Sequence, residues 1–252
     1  KTTWVNYAKN GRQRESVNFN TGVVEIEFLA YKKDALSQVK QRAQQAVTTL
    51  LRTTERQAFE NDVVAQKVEE KVKQHRNVVK TGKPSADIPV LAPLLAKLPV
   101  TDKAKVEQLA NTLVTSAVTT VSKPQALDGQ QVVKLTFKIP EKLSDKAARY
   151  GQRVRDVAKK ENIPVSLVYA VMETESNFNP LAKSHIPAYG LMQIVPRSAG
   201  KDATKYLFGK AKVLAPSYLY NSDNNIEIGG AYLHILYHRY LNKVEDSTSR
   251  LF

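Results

Sequence analysis

Apolar and polar residues alternate near the start of the chain in the way expected of strands. Residues 15–30 predict a hairpin, because alternating stretches lie on both sides of the turn sequence Asn-Thr-Gly at 20–22. From Ala35 to about Lys80 the apolar residues recur three and four positions apart, which indicates helix. One apolar stripe of this helical region would cover a sheet, and it consists of Leu36, Val39, Ala43, Ala46, Val47 and Leu50.

The rest of the first half returns to a strand. Residues 82–89 read as a loop because of their glycine and prolines, and 103–121 predict another helix. Residues 133–139 alternate again and predict a strand that ends at Pro140. Strands, helices and a further strand indicate an α+β fold with antiparallel strands and long helices.

After Pro140 the pattern is helical throughout. Helices are predicted over about 144–161, 164–177 and 223–242, separated by a stretch rich in loops. We therefore expect two domains, an α+β domain over residues 1–140 and an all-α domain over residues 141–252.

Composition and charge narrow the function classes only in part. No window approaches the roughly 18 consecutive apolar residues of a membrane span, and the N-terminal KTTWVNYAKN has no apolar signal segment. The chain has no cysteine, which excludes disulfides and thiolate chemistry. Its net charge of +14 indicates either an anionic partner or simply a solvated basic surface. We expect no nucleic-acid partner, since no basic run is interleaved with aromatic residues as single-strand binders require.

The stretch METESNFNP, residues 172–180, places two glutamates near the end of a predicted helix. At helical spacing one face carries an apolar stripe followed by a carboxylate, and its members are Val168, Val171, Met172 and Glu175. Glu173 lies about 200° away around the helix and points elsewhere.

A carboxylate on an apolar face loses hydration in its charged form. Burial therefore favours the protonated acid, as a general acid at neutral pH requires. The alternative is that Glu175 lies at a frayed helix end and reaches water.

A second motif, Tyr-Gly-Leu-Met-Gln-Ile at 189–194, follows after a loop. Gly190 allows close approach of another group, Met192 offers adaptable apolar surface, and Gln193 offers both a donor and an acceptor. An apolar groove with amide and hydroxyl groups suits a neutral, hydroxyl-rich ligand such as a sugar.

A metal site is not expected. His234 and His238 are four residues apart, a spacing that can chelate a metal, but the helix lacks the glutamate of a zinc-protease motif. His185 lies in the loop beside the candidate site, where a surface role is the expectation.

These motifs together resemble lytic transglycosylase family 1, the soluble lytic transglycosylase domain. The matching elements, in order, are Glu175-Ser176, Asn179-Pro180, Ala182, Ser184 and Gly190-Leu191-Met192-Gln193. A later stretch, DNNIEIGGAYLHIL at 223–236, resembles the family's next element. In that element Asn225, either Ile228 or Gly229, Tyr232 and Leu233 would hold a helix under the site. More loosely, NFNTGVVEIEFLA and VVKLTFKIP resemble the N-terminal domain of a membrane-bound member.

The resemblance implies a lysozyme-like helical fold and cleavage of peptidoglycan glycan strands between N-acetylmuramic acid and N-acetylglucosamine. It implies Glu175 as the sole catalytic carboxylate and a 1,6-anhydro product, with no cofactor. Ser184 and Gln193 would contact the sugar or the acid, and Tyr189 and Met192 would line the cleft. A hydrolytic lysozyme and a non-catalytic glycan-binding module remain as alternatives.

The resemblance also carries expectations beyond residues 1–252. The family continues into an Ala-Tyr-Asn-Gly motif whose tyrosine holds the glutamate, and this sequence ends at SRLF where that motif would begin. The lysozyme-like domain is thus expected to be truncated. The family likeness further implies the bacterial periplasm, with attachment to the outer membrane through an N-terminal lipid.

Overall fold

A computed structural model gives the fold of this chain. It describes residues 2–8, 11–74, 79–95, 102–122, 129–139 and 143–244. The expected strand end at Pro140 and the SRLF terminus lie outside these residues.

An antiparallel sheet forms the N-terminal part. The strands are β1 Thr3–Ala8, β2 Gln13–Asn18, β3 Val23–Tyr31, β4 Val79–Lys80, β5 Val118–Ser122, β6 Gln130–Lys138 and β7 Val213–Leu214. Five of them make one sheet in the order β1-β2-β3-β6-β5, in which every neighbouring pair is antiparallel. The predicted α+β class is therefore confirmed.

The predicted hairpin is β2 and β3. Asn18 pairs with Val23 across the turn, and the Asn18 side chain accepts hydrogen bonds from the backbone of Asn20 at 2.9 Å and Thr21 at 3.2 Å. Gly22 has φ +68°, a conformation that glycine adopts without steric cost. The Asn-Thr-Gly sequence thus forms the turn that its composition predicts.

Four helices belong to this part of the chain. They are α1 Leu36–Arg52, α2 Glu55–Asn61, α3 Val63–Lys73 and α4 Lys103–Ser116. Helices α1, α2 and α4 contact strands of the sheet, whereas α3 contacts α2. The stripe of α1 is buried as predicted from Ala43 to Leu50, but Leu36, in the first turn of the helix, is 84% exposed.

Two helical predictions are wrong in extent. The region from Ala35 is broken by a capping box between Thr54 and Gln57 and by Asp62, which accepts from two backbone amides of α3. Lys80 lies in a strand. Helix α4 ends at Ser116, and Val118–Ser122 forms an edge strand paired with β6, consistent with the preference of Val and Thr for extended backbone.

Helices dominate the chain after residue 143. They are α5 Leu143–Arg149, α6 Gly151–Glu161, α7 Val165–Ser176, α8 Ala199–Phe208, α9 Pro216–Leu219 and α10 Ser222–Ile235, followed by a π-helical turn at Leu236–Tyr240. The helix predicted over 144–161 is divided at Tyr150, and α8 occupies part of the stretch predicted as loops. The all-α expectation is wrong at β7, which pairs in parallel with β4.

Polar contacts join the N-terminal elements to the C-terminal helices. The Ser217 hydroxyl lies 2.7 Å from Glu69 Oε1 and 3.1 Å from the Gly82 amide, and the Ser222 hydroxyl lies 2.5 Å from Glu55 Oε1. Buried apolar residues of both parts belong to one continuous cluster. The division near residue 140 stays a prediction. Among the described helices, none combines the length and the apolarity needed to cross a bilayer.

Candidate active site

Helix α7 carries the two glutamates on different faces. Val168 and Met172 are fully buried, Glu175 one turn later is half-buried, and Glu173 is exposed. The helical phase read from the sequence is therefore confirmed. Glu175 lies where an apolar interior meets solvent.

The chain turns sharply directly after Glu175. Asn177 adopts the left-handed conformation with φ +50°, and its amide donates to Glu173 O at 2.9 Å. Phe178 follows, also with positive φ, and its buried ring stacks on Tyr150 with the centroids 6.4 Å apart. This closure fixes the last turn of α7 from its C-terminal side.

The segment Gly190–Gln193 is attached to that helix end. The Ser176 hydroxyl, fully buried, lies 2.9 Å from Met172 O and 2.7 Å from Leu191 O. Ser176 thus links the glutamate helix to the Gly-Leu-Met-Gln motif.

Asn225 on α10 forms hydrogen bonds to the same segment. Its Nδ2 donates to Tyr189 O at 2.8 Å and Leu219 O at 2.9 Å, and its Oδ1 accepts from the Met192 amide at 2.8 Å. Gly190 has φ +76°, and a Cβ there would lie 2.3 Å from Asn225 Nδ2. The glycine is required both by its backbone conformation and by the close approach of Asn225.

The four side chains predicted to bind substrate lie in different surroundings. Tyr189 is 2% exposed, packs edge-on against Tyr220 with the ring centroids 5.5 Å apart, and has a pKa raised mainly by burial. Met192 is also buried, with its sulfur against Gly229, where a Cβ would lie 2.2 Å away. Ser184 is half-buried, accepts from the Ala188 amide at 3.2 Å and donates to Ile186 O within its own loop.

Gln193 combines an uncommon backbone with an unpaired acceptor. Its φ is +44°, and its Nε2 donates to Ala182 O and Gly190 O at 3.0 Å each. Its Oε1 is buried and has no hydrogen-bond partner among the described residues. A buried acceptor without a partner costs about 1–3 kcal/mol, so a ligand hydroxyl placed there would be stabilised.

The histidines considered as metal ligands contact the backbone instead. A ring nitrogen of His234 lies 2.7 Å from Glu161 O, and one of His238 lies 2.7 Å from Asn162 O, so the pair covers the C-terminal end of α6. No cluster of three or more potential metal ligands occurs in the described ranges.

Two long-range contacts of this part of the fold were not found by sequence reasoning. The side chain of Asn177 contacts the β2–β3 turn of the N-terminal sheet, 157 residues away in sequence. Glu55 is fully buried against Ser222, and burial raises its pKa to about 7. Glu55 opens a helix beside a capping residue, where an acidic side chain is ordinary, so no local signal marked its burial.

Comparison with known proteins finds a family match in the C-terminal part of the chain. Residues 152–249 match the model of the Transglycosylase SLT domain. Membrane-bound lytic murein transglycosylase C of Yersinia pestis (strain Pestoides F) is 44% identical over 114 residues, which are 45% of this chain and 32% of that protein. The match spans about a third of the length of such curated relatives.

Solved structures with local similarity include two lytic transglycosylases. One is the 70-kDa soluble lytic transglycosylase in complex with bulgecin A, at 28% identity over 43% of this chain and 18% of that one, with a TM-score of 0.36. The other is an inactive glutamate-to-glutamine mutant of Slt from Pseudomonas aeruginosa, at 27% identity over 40% of this chain and 16% of that one, with a TM-score of 0.35. The family model and the curated relatives thus agree in matching the C-terminal part of this chain to lytic transglycosylases.

Proposed function

We propose that this chain is a peptidoglycan lytic transglycosylase, with a lysozyme-like catalytic domain at 141–252 and an accessory domain at 1–140. The observation that carries the proposal is the position of Glu175. It is half-buried in the last turn of α7, and the next residue, Ser176, hydrogen-bonds the Gly190–Gln193 segment. One carboxyl group is thereby held beside a segment that offers amide and apolar groups.

The reaction needs this one carboxyl group in two roles. Glu175 as the acid donates its proton to the glycosidic oxygen between N-acetylmuramic acid and N-acetylglucosamine, and the bond from that oxygen to the anomeric carbon breaks. The resulting carboxylate then takes the proton of the muramoyl 6-hydroxyl, whose oxygen bonds to the anomeric carbon. The product is a 1,6-anhydromuramoyl end, no water is consumed, and the acid is regenerated.

Four neighbouring residues complete the proposed site. Gln193 has a buried Oε1 that a sugar hydroxyl or the Glu175 carboxyl proton would satisfy. Ser184 would contact substrate at the rim, while Tyr189 and Met192 form the buried wall beneath it. Proton transfer by a carboxyl group requires neither a metal nor another cofactor.

The proposed setting is the bacterial periplasm. The relatives are named membrane-bound lytic murein transglycosylases, which supports attachment to a membrane. The proposed attachment is to the outer membrane, through an N-terminal lipid. The net charge of +14 fits an acidic envelope, since carboxylates of peptide stems and anionic lipids would both attract it.

The test is replacement of Glu175 by Gln, with Glu173→Gln as the matched control in the same helix turn. Loss of the general acid is expected to lower kcat on purified murein by about 100-fold or more, whereas Glu173→Gln should leave it near wild type. Mass spectrometry of the products identifies the reaction. Products carrying one additional water would indicate a lysozyme, and murein binding without turnover would indicate a glycan-binding module; either result would refute the proposal.

A further inference from the structure

The β2–β3 turn of the N-terminal sheet contacts the residue that closes the glutamate helix. Asn177 Nδ2 donates to Phe19 O at 2.9 Å and to Asn20 Oδ1 at 3.0 Å. Asn177 lies two residues after Glu175 and is 9% exposed. Two hydrogen bonds thus join the first part of the chain to the end of α7.

A buried lysine strengthens this junction. Lys146 on α5 is 3% exposed, and its Nζ lies 2.5 Å from Phe19 O and 3.4 Å from Asn177 Oδ1. The Phe19 carbonyl therefore accepts from both an ammonium and an amide. Because one donor is charged, this junction is stronger than two neutral hydrogen bonds would be.

The turn itself is firmly attached to the sheet. Asn18 accepts from the amides of Asn20 and Gly22, and the Ile139 amide donates to Gly22 O at 2.9 Å at the end of β6. The acceptors that face Asn177 therefore have a position fixed by β2, β3 and β6 together.

We propose that this turn is a positioning element for Glu175, with Asn20 and Asn177 as positioning residues. The inference rests on the proposed function. Asn177 sets the direction in which the chain leaves α7, so anchoring its side chain fixes the orientation of the last helical turn. A misplacement of about 1 Å at a reacting group can lower a rate by up to about 100-fold, so anchoring of this kind affects catalysis without contact with substrate.

The variants that test this are chosen to spare the fold. Asn177→Gly removes the two hydrogen bonds to the turn and the contact with Lys146, but it keeps the left-handed backbone, which glycine adopts freely. Asn162→Gly is the matched control, because Asn162 ends α6 in the same conformation, with φ +51°, and its side chain is exposed. In the turn, Asn20→Ala removes an exposed acceptor and Asn20→Asp retains one.

Two readouts are measured on the intact protein, kinetics on murein and hydrogen exchange of the peptide 172–178. We expect Asn177→Gly to lower kcat about tenfold with KM within about twofold, and to speed exchange at the end of α7 several-fold. Asn20→Ala should give a smaller change in the same direction, and Asn20→Asp should restore both values. Asn162→Gly should alter neither.

Wild-type kcat in Asn177→Gly would overturn the proposal, as would unchanged exchange in the 172–178 peptide. An equal loss in Asn162→Gly would also overturn it, because the effect would then be one of general stability. Failure of the proposed function is distinct, since it would appear as full activity in Glu175→Gln. In that event the exchange data alone would decide whether the turn holds the helix end.

Discussion

Replacement of Glu55 by Gln should stabilise the protein, and increasingly so as the pH rises. Glu55 is fully buried at the start of α2, its Oε1 lies 2.5 Å from the Ser222 hydroxyl, and its Oε2 has no partner among the described residues. Burial raises its pKa from 4.5 to about 7, although hydrogen bonds from Ser222 and the backbone oppose this. The charge of Asp223 raises the pKa of Glu55 slightly further.

The direction follows from proton binding. Because the folded state holds the proton more tightly than the unfolded chain, the free energy of unfolding falls as the pH rises from 4.5 through 7. At about 1.36 kcal/mol per pH unit, the total loss due to Glu55 is about 3 kcal/mol, and about 2 kcal/mol of it falls between pH 5.5 and pH 8. Gln is neutral at both values and keeps an acceptor for Ser222.

Urea unfolding at pH 5.5 and pH 8 measures this. The free-energy gap between Glu55→Gln and wild type should grow by about 2 kcal/mol between the two conditions. Glu60→Gln, on the exposed side of the same helix, serves as the control and should show no such trend. Parallel pH profiles for Glu55→Gln and wild type would refute the reasoning, because the buried carboxyl would then titrate alike in the folded and unfolded states.

Two further predictions concern the segment under the candidate site, and thermal or urea unfolding checks both. Gly190→Ala should destabilise the protein by about 3 kcal/mol or more, and Gly209→Ala by only about 1–2 kcal/mol. Both glycines have positive φ, but only at Gly190 would the added Cβ meet another group, at 2.3 Å from Asn225 Nδ2. Equal losses would contradict the steric argument. Asn225→Ala should cost about 3 kcal/mol, because it leaves the Met192 amide and the Leu219 carbonyl buried without the partner that Asn225 provides. A loss below about 1 kcal/mol would mean that water replaces the side chain.

Elements whose apolar residues in the sequence are the ones buried in the structure could be predicted from local periodicity. The β2–β3 hairpin follows from alternation and an Asn-Thr-Gly turn, and the half-burial of Glu175 follows from helical phase alone. The helix predicted over 103–121 included residues 118–121, yet pairing with β6 makes Val118–Ser122 a strand. Edge strands of this kind depend on a partner that local sequence does not reveal.

In the candidate site, too, local motifs could be predicted from the sequence but long-range contacts could not. Gly190 and Gln193 were identifiable from a motif, whereas the hydrogen bonds of Asn177 to the β2–β3 turn join residues more than 150 positions apart. The burial of Glu55 depends on Ser222, 167 residues later, and leaves no local trace. Sequence reasoning therefore reached the residues of the site more readily than the contacts that hold them.

The serine contacts between the two parts of the chain impose an order on folding. Glu69 binds Ser217 across 148 residues, and Glu55 binds Ser222 across 167. During synthesis from the N-terminus, α2 and α3 emerge long before either serine, so both carboxylates stay hydrated until α9 and α10 arrive. Closing loops of this length is slow and costs chain entropy, which places these contacts among the last to form. The N-terminal sheet can assemble early, but its helices reach their final packing only when residues near position 222 have been made.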